Sequence, residues 1–211
     1  MDREDTRGHG VQACGRPIAG ASEVSRSHRG VAHREPSVDV FSSIVAFLVG
    51  VVCFASAAVA AERDVALATE GAVASASSSY GPAYPVTTLN DDVRAGGYWV
   101  DATYGVLPDW VAIAFNGSKT IDRVVVYTLQ DNYLNQTEPT DTQTFTLWGI
   151  TDFIVQGWDG ASWVTLATVA GNNLVKRTVT FTAFATDRIR VNVNAARTGY
   201  SYITEIEAWG Y

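Results

Sequence analysis

Beyond Val65, the chain is a succession of short stretches rich in Val, Ile, Thr, Phe and Trp, separated by Gly, Asn, Asp and Pro. This punctuation is typical of strands joined by turns in a β-sandwich or barrel, and no amphipathic helix is evident. A two-residue period is clearest where Ile189, Val191 and Val193 alternate with polar residues. These residues are predicted to place one strand face in a core, so the fold class is all-β.

Eight stretches are predicted strands: residues 110–115, 123–128, 145–148, 153–158, 163–169, 177–181, 188–193 and 203–209. Asn116-Gly117 and Asp159-Gly160 each separate two such stretches and supply the positive φ that tight hairpins need. The second hairpin carries Trp158 and Trp163 at its two ends. These indoles form either a ligand platform or a packed cross-strand pair.

Histidine and cysteine are confined to the first 61 residues, at His9, His28, His33, Cys14 and Cys53. Residues 62–211 therefore cannot form a Ser-His-Asp triad, a Cys nucleophile, a zinc site built on His or Cys, or a disulfide. The formal net charge is -7, which argues against a nucleic-acid partner because phosphate contacts need a basic surface. Any function of residues 62–211 is therefore expected to use carboxylate, hydroxyl, amide and aromatic side chains.

The first 61 residues are typical of targeting sequence. Residues 1–39 are rich in Arg, Gly, Ser and His without periodicity and are predicted to be disordered. Residues 40–61 contain no charge, follow several arginines and end in small residues near Ala61, which fits a signal peptide or an uncleaved signal-anchor. Either way, the domain at 62–211 is expected outside the cell, secreted or at the cell surface.

The polar stretch 129–144 is the longest segment without strand character. Loops of this length in a compact domain are usually functional or disordered. Tyr133 is its only aromatic residue and is flanked by Asp131, Asn132 and Asn135, as in a shallow polar recognition site. A merely solvated loop is the alternative.

Five short motifs follow one another along residues 64–211: LNDDVR (89–94), PDWV (108–111), DFIVQGWDG (152–160), RIRV (188–191) and EIEAWG (205–210). In this order and spacing they resemble a discoidin domain of the coagulation factor V/VIII type C family, which overlaps with carbohydrate-binding module family 32. The resemblance covers 64–211 and implies a galactose-binding-like jelly-roll β-sandwich. It also implies that loops at one end bind the ligand and that the domain is not an enzyme.

Many members of the carbohydrate-binding branch hold one structural calcium ion. The resemblance would place it on the Asp91 side chain, backbone carbonyls near Leu89 and Val93, and Glu205 with the carbonyl of Thr204. Calcium accepts such mixed carboxylate and carbonyl shells.

Two residues depart from the calcium pattern. Asp92 stands where Gly is usual, and Gly96 stands where Ser or Thr often adds an oxygen. An acidic turn without metal is therefore the alternative.

The ligand contacts of the family are harder to assign to residues of this chain, because sugar-binding relatives often use a histidine and this domain has none. The candidates are Tyr80, Tyr84, Asp131, Asn132, Tyr133, Arg197 and Tyr200. Tyr133, Tyr200 and at least one of Tyr80 and Tyr84 are expected to be exposed at one pole. For Tyr200, a corner position packed on the sandwich is the alternative.

Three functions are compatible with these features. The first is a non-catalytic extracellular module that recognises a glycan or another cell-surface ligand. The second is a cell-adhesion or envelope protein that binds a protein or a lipid headgroup. The third is a glycosidase with two carboxylates, although some pair of acids would come close in any chain this acidic. A membrane is expected only through an uncleaved N-terminal segment, and the sequence does not indicate an oligomeric state.

Overall fold

The computed structural model describes residues 60–211, so the predictions for residues 1–39 and for most of 40–61 lie outside the described residues. The described part contains eight strands: β1 (Arg63–Asp64), β2 (Val73–Ala76), β3 (Trp99–Val100), β4 (Asp109–Thr128), β5 (Ile150–Trp158), β6 (Trp163–Val169), β7 (Lys176–Ala196) and β8 (Tyr202–Gly210). Two short 3₁₀ turns, Ala68–Glu70 and Val86–Asn90, are its only helical elements. Over residues 60–211 there is no helix long and apolar enough to cross a membrane.

Two long strands, β4 and β7, link the layers of the sandwich. The first half of β4 pairs with β2 and with the second half of β7, which continues the sheet to β5 and β6. The second half of β4 pairs with β8 and with the first half of β7. Register shifts in β4 between Ala114 and Lys119 mark the change of layer. All pairings are antiparallel, as expected of a galactose-binding-like β-sandwich.

The core lies between the layers and is built from alternate residues of the central strands. Val111 and Ile113 of β4, Phe153 of β5 and Ile189 and Val191 of β7 are fully buried or nearly so. Burial of each such side chain contributes about 1.5–3 kcal/mol relative to exposure. The two-residue apolar period of the sequence therefore identifies the inner faces correctly.

Seven of the eight predicted strands lie within observed strands, but the predicted strand at 145–148 is wrong. The residue just before this segment, Thr144, makes an isolated bridge with Leu174, and residues 145–148 have no strand pairing. The backbone N–H groups of Thr146 and Leu147 donate to the Asp131 carboxylate and are therefore not available to a strand ladder. Strands β1, β2 and β3 were not predicted, since two to four residues carry too little periodicity.

The hairpin at Asp159-Gly160 forms as predicted. Gly160 has a φ of 102°, and the Asp159 carboxylate accepts hydrogen bonds from the backbone N–H groups of Ala161 and Ser162. Trp158 and Trp163 are cross-strand partners with ring centroids 5.5 Å apart. The structure therefore favours the packed pair over a free ligand platform.

The sandwich has two ends that carry different chemistry. Strand β5 starts beside Trp148 and ends at Trp158, roughly 26 Å away at about 3.3 Å per residue. Strand β8 likewise starts at Tyr202 and ends at Gly210, which pairs with Arg63. We call the end at 116–118, 158–163 and 185–187 the opposite end; residues 60–63 and 209–211 lie on the same side.

Candidate functional site

Seven of the nine tyrosines gather at the end of the sandwich where β8 begins, which we call the tyrosine end. They are Tyr80, Tyr84, Tyr98, Tyr104, Tyr133, Tyr200 and Tyr202. All except Tyr202 lie in the segments between strands. Because antiparallel strands place these loops side by side, tyrosines more than 100 residues apart in sequence become neighbours.

The tyrosine rings and Trp148 form one continuous network. Successive ring centroids along the series Tyr104, Tyr200, Tyr80, Tyr84, Tyr98, Tyr202, Trp148 and Tyr133 lie between 5.1 and 6.2 Å apart. Most contacts are edge-on, the favoured geometry for aromatic pairs. Edge-on packing fixes each ring while its face can stay open, as stacking of a ligand requires.

Two shallow pockets lie within this network. Pocket A, about 200 Å³, is lined by Tyr80, Tyr84, Val100, Tyr200 and Tyr202. Pocket B, about 190 Å³, is lined by Tyr84, Tyr98, Leu129, Tyr133, Trp148 and Tyr202. The two pockets share Tyr84 and Tyr202, and neither is lined by a charged side chain.

A buried polar network fixes the start of β8 below pocket A. The Asp101 carboxylate accepts hydrogen bonds from the backbone N–H groups of Ser201 (2.6 Å) and Thr103 (2.7 Å). The Ser201 hydroxyl donates to the Asp109 carboxylate at 2.8 Å, and burial raises the pKa of Asp109. Ser201 lies between Tyr200 and Tyr202, so this network sets the position of both rings.

The Asp131 carboxylate holds the long loop in place. It accepts hydrogen bonds from the backbone N–H and hydroxyl of Thr146 and from the backbone N–H of Leu147 at 2.8–2.9 Å. Its slight burial alone would raise its pKa, but these hydrogen bonds outweigh that effect and lower the pKa. Asp131 therefore connects the loop bearing Tyr133 to the segment bearing Trp148.

Two hydroxyl groups of pocket B, those of Tyr98 and Tyr202, are held in the protonated form. Burial, followed by the neighbouring Tyr84, raises the pKa of Tyr98 to about 12. Burial also raises the pKa of Tyr202. The Trp148 indole N–H is buried without an acceptor among the described residues, so packing holds this ring. Pocket B therefore offers neutral donors and apolar ring surface.

The structure brings most of the predicted ligand residues together. Tyr80 and Tyr200 line pocket A, Tyr133 lines pocket B, and Tyr84 lines both. Tyr80 and Tyr133 are exposed at this pole as expected, whereas Tyr200 is only half-exposed because neighbouring rings cover it.

Three other predicted ligand residues are placed differently. Asn132 is exposed in the turn before Tyr133, and Asp131 is occupied with Thr146 and Leu147. Arg197 is exposed, and its backbone N–H donates to the Gly149 carbonyl at 3.1 Å. None of the three lines a pocket.

Three aromatic residues of the site lie outside the candidate loops, Tyr98, Tyr104 and Trp148, and a fourth, Tyr202, ends the candidate loop 197–202 but was not chosen as a ligand residue. Tyr202 is in a strand, and Trp148 was assigned to one. The repeated tyrosines of YGPAY (80–84) and GYSY (199–202) were the signal that could have widened the prediction.

The predicted metal turn brings two carboxylates together. Glu205 is fully buried, and its two oxygens accept hydrogen bonds from the backbone N–H groups of Asp91 and Asp92 at 3.2 Å. Burial and then the nearby Asp91 carboxylate raise the pKa of Glu205 to about 8, and burial also raises the pKa of Asp91. Asp92 has a φ of 67°, in the left-handed region that favours glycine, which explains why glycine is usual at this position but not why Asp replaces it.

No cation among residues 60–211 pairs with Asp91 or Glu205. Arg94 pairs with Asp92 and Glu207, not with Glu205 or Asp91. Asp64, near Glu205, has its pKa raised to about 6 by burial, and one of its oxygens is buried without a partner among residues 60–211. Buried carboxylates usually have a cationic partner, so these oxygens fit a hard cation. In the same range, no group of three or more His, Cys, Asp or Glu is placed to hold a metal, so backbone carbonyls would have to complete a shell.

Two larger depressions, each about 320 Å³, lie away from the tyrosine end. One, at the edge near Ile121 and Gly210, includes Glu62 and Asp122. The other lies between Arg123, Lys176 and Trp209, and the Arg123 guanidinium lies 5.0 Å from the Trp209 ring centroid. Volume therefore does not identify the site: neither depression is built from neighbouring uncovered rings.

Comparison with known proteins adds information on the fold. No protein-family profile and no curated protein sequence matches the chain. Among solved structures, a chitosan-binding module 1 of a chitosanase/glucanase from Paenibacillus sp. IK-5 is similar, with a TM-score of 0.55 and 22% identity over 70% of this chain and 99% of that one.

Two further solved structures are similar. The chitosan-binding module 2 of the same enzyme, in complex with chitotriose, has a TM-score of 0.54 and 21% identity over 70% of this chain and 100% of that one. The family 32 carbohydrate-binding module from C. perfringens NanJ, in complex with galactose, has a TM-score of 0.54 and 18% identity over 71% and 99%. These likenesses confirm the galactose-binding-like β-sandwich and the similarity to family 32 modules that the sequence motifs indicated.

Proposed function

We propose that residues 62–211 are a non-catalytic carbohydrate-binding module that binds its ligand at the tyrosine end. The observation that carries this proposal is the network of eight aromatic rings around two pockets without a charged lining. Sugar rings present apolar C–H faces and a rim of hydroxyls, which match open tyrosine faces and neutral phenol groups. The structural neighbours that bind chitotriose or galactose support the same class of ligand.

The expected affinity is low. A millimolar dissociation constant corresponds to about -4.1 kcal/mol, which one or two stacked rings and a few hydrogen bonds supply. Pockets this shallow leave much of a ligand in contact with water. The module is therefore expected to bind weakly and to depend on several rings acting together.

The pockets offer no pair of carboxylates for hydrolysis. A glycosidase needs two carboxyl groups on either side of the scissile bond. Asp101 and Asp109 are buried beneath pocket A and hydrogen-bonded to Thr103 and Ser201, and the Asp131 carboxylate is occupied by Thr146 and Leu147. We therefore propose binding without catalysis, and release of chromogen from a panel of nitrophenyl glycosides would contradict it.

A glycan array followed by titration calorimetry tests the proposed function. Tyr80→Ala and Tyr133→Ala are the informative variants, because both side chains are exposed and line a pocket. Tyr211→Ala is the matched control, an exposed tyrosine on the side of the opposite end. We expect the pocket variants to lose affinity while the control keeps it. Absence of binding to any glycan, or equal losses in all three variants, would overturn the proposal.

Calcium is proposed as a structural ion at the acidic turn. Asp91 and Glu205 would hold it, with carbonyls near Leu89 and Val93 and of Thr204 completing the shell, and it would supply the missing positive charge. An ion that binds only the folded state stabilises it by about 2.7 kcal/mol at a hundredfold excess over its Kd.

Thermal melting with calcium or chelator tests this ion. We expect Asp91→Ala to abolish the upward shift of Tm and Glu70→Ala, at an exposed acid, to retain it. If chelator leaves the wild-type Tm unchanged, the turn functions without metal.

A second candidate function rests on exposed aliphatic side chains at the same end. Leu134 and Val106 are 77% and 63% exposed, and Leu147 is exposed as well. Such side chains at loop tips suit insertion into a lipid surface or docking on a protein. Co-sedimentation with phosphatidylcholine vesicles, with and without phosphatidylserine, tests the lipid version. Binding that Leu134→Asp abolishes would favour it over the glycan proposal.

Export of the domain is also proposed, from the uncharged segment 40–61 and its upstream arginines. N-terminal sequencing of exported protein should give a start near Glu62. A product that retains this segment and partitions with membranes would instead identify an anchor.

A further inference from the structure

The tyrosine end contains two neighbouring pockets with a common wall. Tyr84 and Tyr202 line both, so the two pockets are adjacent rather than alternative sites. At about 200 and 190 Å³, each is smaller than the roughly 300 Å³ at the lower limit for drug-sized ligands. One pocket suits a single small ring, and the pair suits two linked rings.

The surroundings of the pockets disfavour an anionic ligand. Both linings consist of Tyr, Trp, Leu and Val side chains only. Behind pocket A lies the Asp101 carboxylate, fully buried and hydrogen-bonded to Ser201 and Thr103 without a described cationic partner. Burial raises the pKa of Tyr200 and Tyr202, neighbouring tyrosines add to it, and the nearby Asp101 carboxylate acts in the same direction. An anionic ligand would lose hydration here without gaining a cation.

We infer that the tyrosine end binds uncharged glycan chains of at least two sugars, with adjacent sugars in pockets A and B on either side of the Tyr84–Tyr202 wall. The inference rests on the proposed function and deepens it, because it names the ligand class and the number of subsites. Both pockets are needed because each supplies only a few rings. A glycan chain that spans the two pockets contacts the rings of both, but the entropy cost of losing translational freedom on binding is incurred only once.

The first experiment is a length series. One to four β-1,4-linked N-acetylglucosamine units, and galactose beside lactose, are titrated against the domain. We expect affinity to rise about tenfold from one sugar to two in the preferred series and then to level off. Equal affinity for one and two sugars in both series would overturn the two-subsite arrangement while leaving the proposed function intact.

The second experiment assigns the subsites. With a bound disaccharide, Tyr80→Ala (pocket A only) and Tyr133→Ala (pocket B only) should each weaken binding about two- to tenfold, the range for one stacked ring. With the monosaccharide, only one of the two variants should weaken it. Tyr211→Ala should change neither. If one of the pocket variants binds the disaccharide like wild type, that pocket is not a subsite.

The third experiment tests whether a negative charge on the ligand weakens binding. Lactose and 3′-sulfated lactose differ by one anionic group, and we expect the sulfated form to bind at least about fivefold more weakly. Equal or tighter binding of the sulfated form would overturn the uncharged class and would implicate Arg197, the exposed cation of this end. Absence of binding to every sugar tested would remove the proposed function itself, a result distinguishable from each outcome above.

Discussion

The tyrosine end and the opposite end are both rich in aromatic rings, yet they use them differently. At the opposite end, guanidinium groups cover the indoles: Arg190 lies 4.5 Å from the Trp163 ring centroid and Arg188 lies 5.7 Å from that of Trp158. At the tyrosine end, no described cation lies over a ring of the network. A ring whose face already carries a cation is not free to stack on a ligand. If the tyrosine end binds a ligand as proposed, cover by a cation, rather than aromatic content, is what distinguishes the structural cluster from the binding surface.

The support beneath the two ends also differs. Ser201 and Thr103 depend on the buried Asp101 carboxylate, whereas the hairpin at the opposite end is held by the exposed Asp159. Buried hydrogen-bonded groups are costly to remove because their partners remain unsatisfied. The tyrosine end is therefore expected to be the more fragile of the two to loss of a single carboxylate.

Asp101→Ala should produce the largest effect. It leaves the buried backbone N–H of Ser201 and the more exposed N–H of Thr103 without their acceptor, and the free energy of unfolding should fall by about 3 kcal/mol. Urea denaturation measures the loss, and Asp159→Ala serves as the control with a smaller loss. Equal losses in the two variants would remove the distinction between buried and exposed support.

Removal of one aromatic ring at each end, Trp163 and Tyr133, should give the next largest effect. Trp163→Ala removes a half-buried indole that packs on Trp158 and Arg190, so stability should fall by about 2 kcal/mol while sugar affinity is unchanged. Tyr133→Ala should do the reverse, changing stability by less than about 0.5 kcal/mol and weakening sugar binding. Denaturation and calorimetry on both variants check this. Loss of sugar binding in the Trp163 variant would show that covered rings also bind.

The Asp131 contact with the long loop should appear as a pH effect. Its pKa is lower in the folded protein than in the unfolded chain, so its contribution is complete above about pH 4 and is lost as pH falls through the lowered value. Asp131→Asn should cost about 1 kcal/mol near neutral pH, allowing for solvent screening, and progressively less as the pH falls through the lowered pKa of Asp131. Denaturation of both proteins across this range tests it. A difference independent of pH would mean that the carboxylate charge is irrelevant.

Arg190→Ala should have the smallest effect, and it tests directly whether the guanidinium group covers the Trp163 ring. It uncovers Trp163 and releases two hydrogen bonds to Gln156, with an expected stability loss of about 0.5–1 kcal/mol. Acrylamide quenching of tryptophan fluorescence should increase. Unchanged quenching would show that Arg190 does not shield the indole.

Local sequence signals predicted strands better than they predicted the site. The alternation around Ile189 and the Asp159-Gly160 turn depend on neighbouring residues, and both were read correctly. The passage of β4 through both layers was missed because Asn116-Gly117 looks like a boundary between two strands. The segment containing Trp148 was assigned to a strand because its composition fits one, but Asp131, 15 residues earlier than Thr146, takes its N–H groups.

The site could be predicted only in part, since its composition depends on which loops meet. Tyr80, Tyr84, Tyr133 and Tyr200 were predictable because they stand outside strand alternation. Tyr202 ended a candidate loop but was not chosen, and the structure places it at the start of β8, where it lines both pockets. Asp101 carries no local signal at all: its role depends on Ser201, one hundred residues away.

The first and last described segments both lie on the side away from the tyrosine rings: Arg63 pairs with Gly210, and Thr120 exchanges hydrogen bonds with Tyr211. Anything joined before residue 60 or after residue 211 therefore attaches roughly the length of the sandwich away from the pockets. Copies fixed to a surface through either terminus would all present their tyrosine rings outward. If the tyrosine end binds sugar weakly, as proposed, an array of such copies would retain a multivalent glycan through avidity, because each further contact forms at the high effective concentration set by the first.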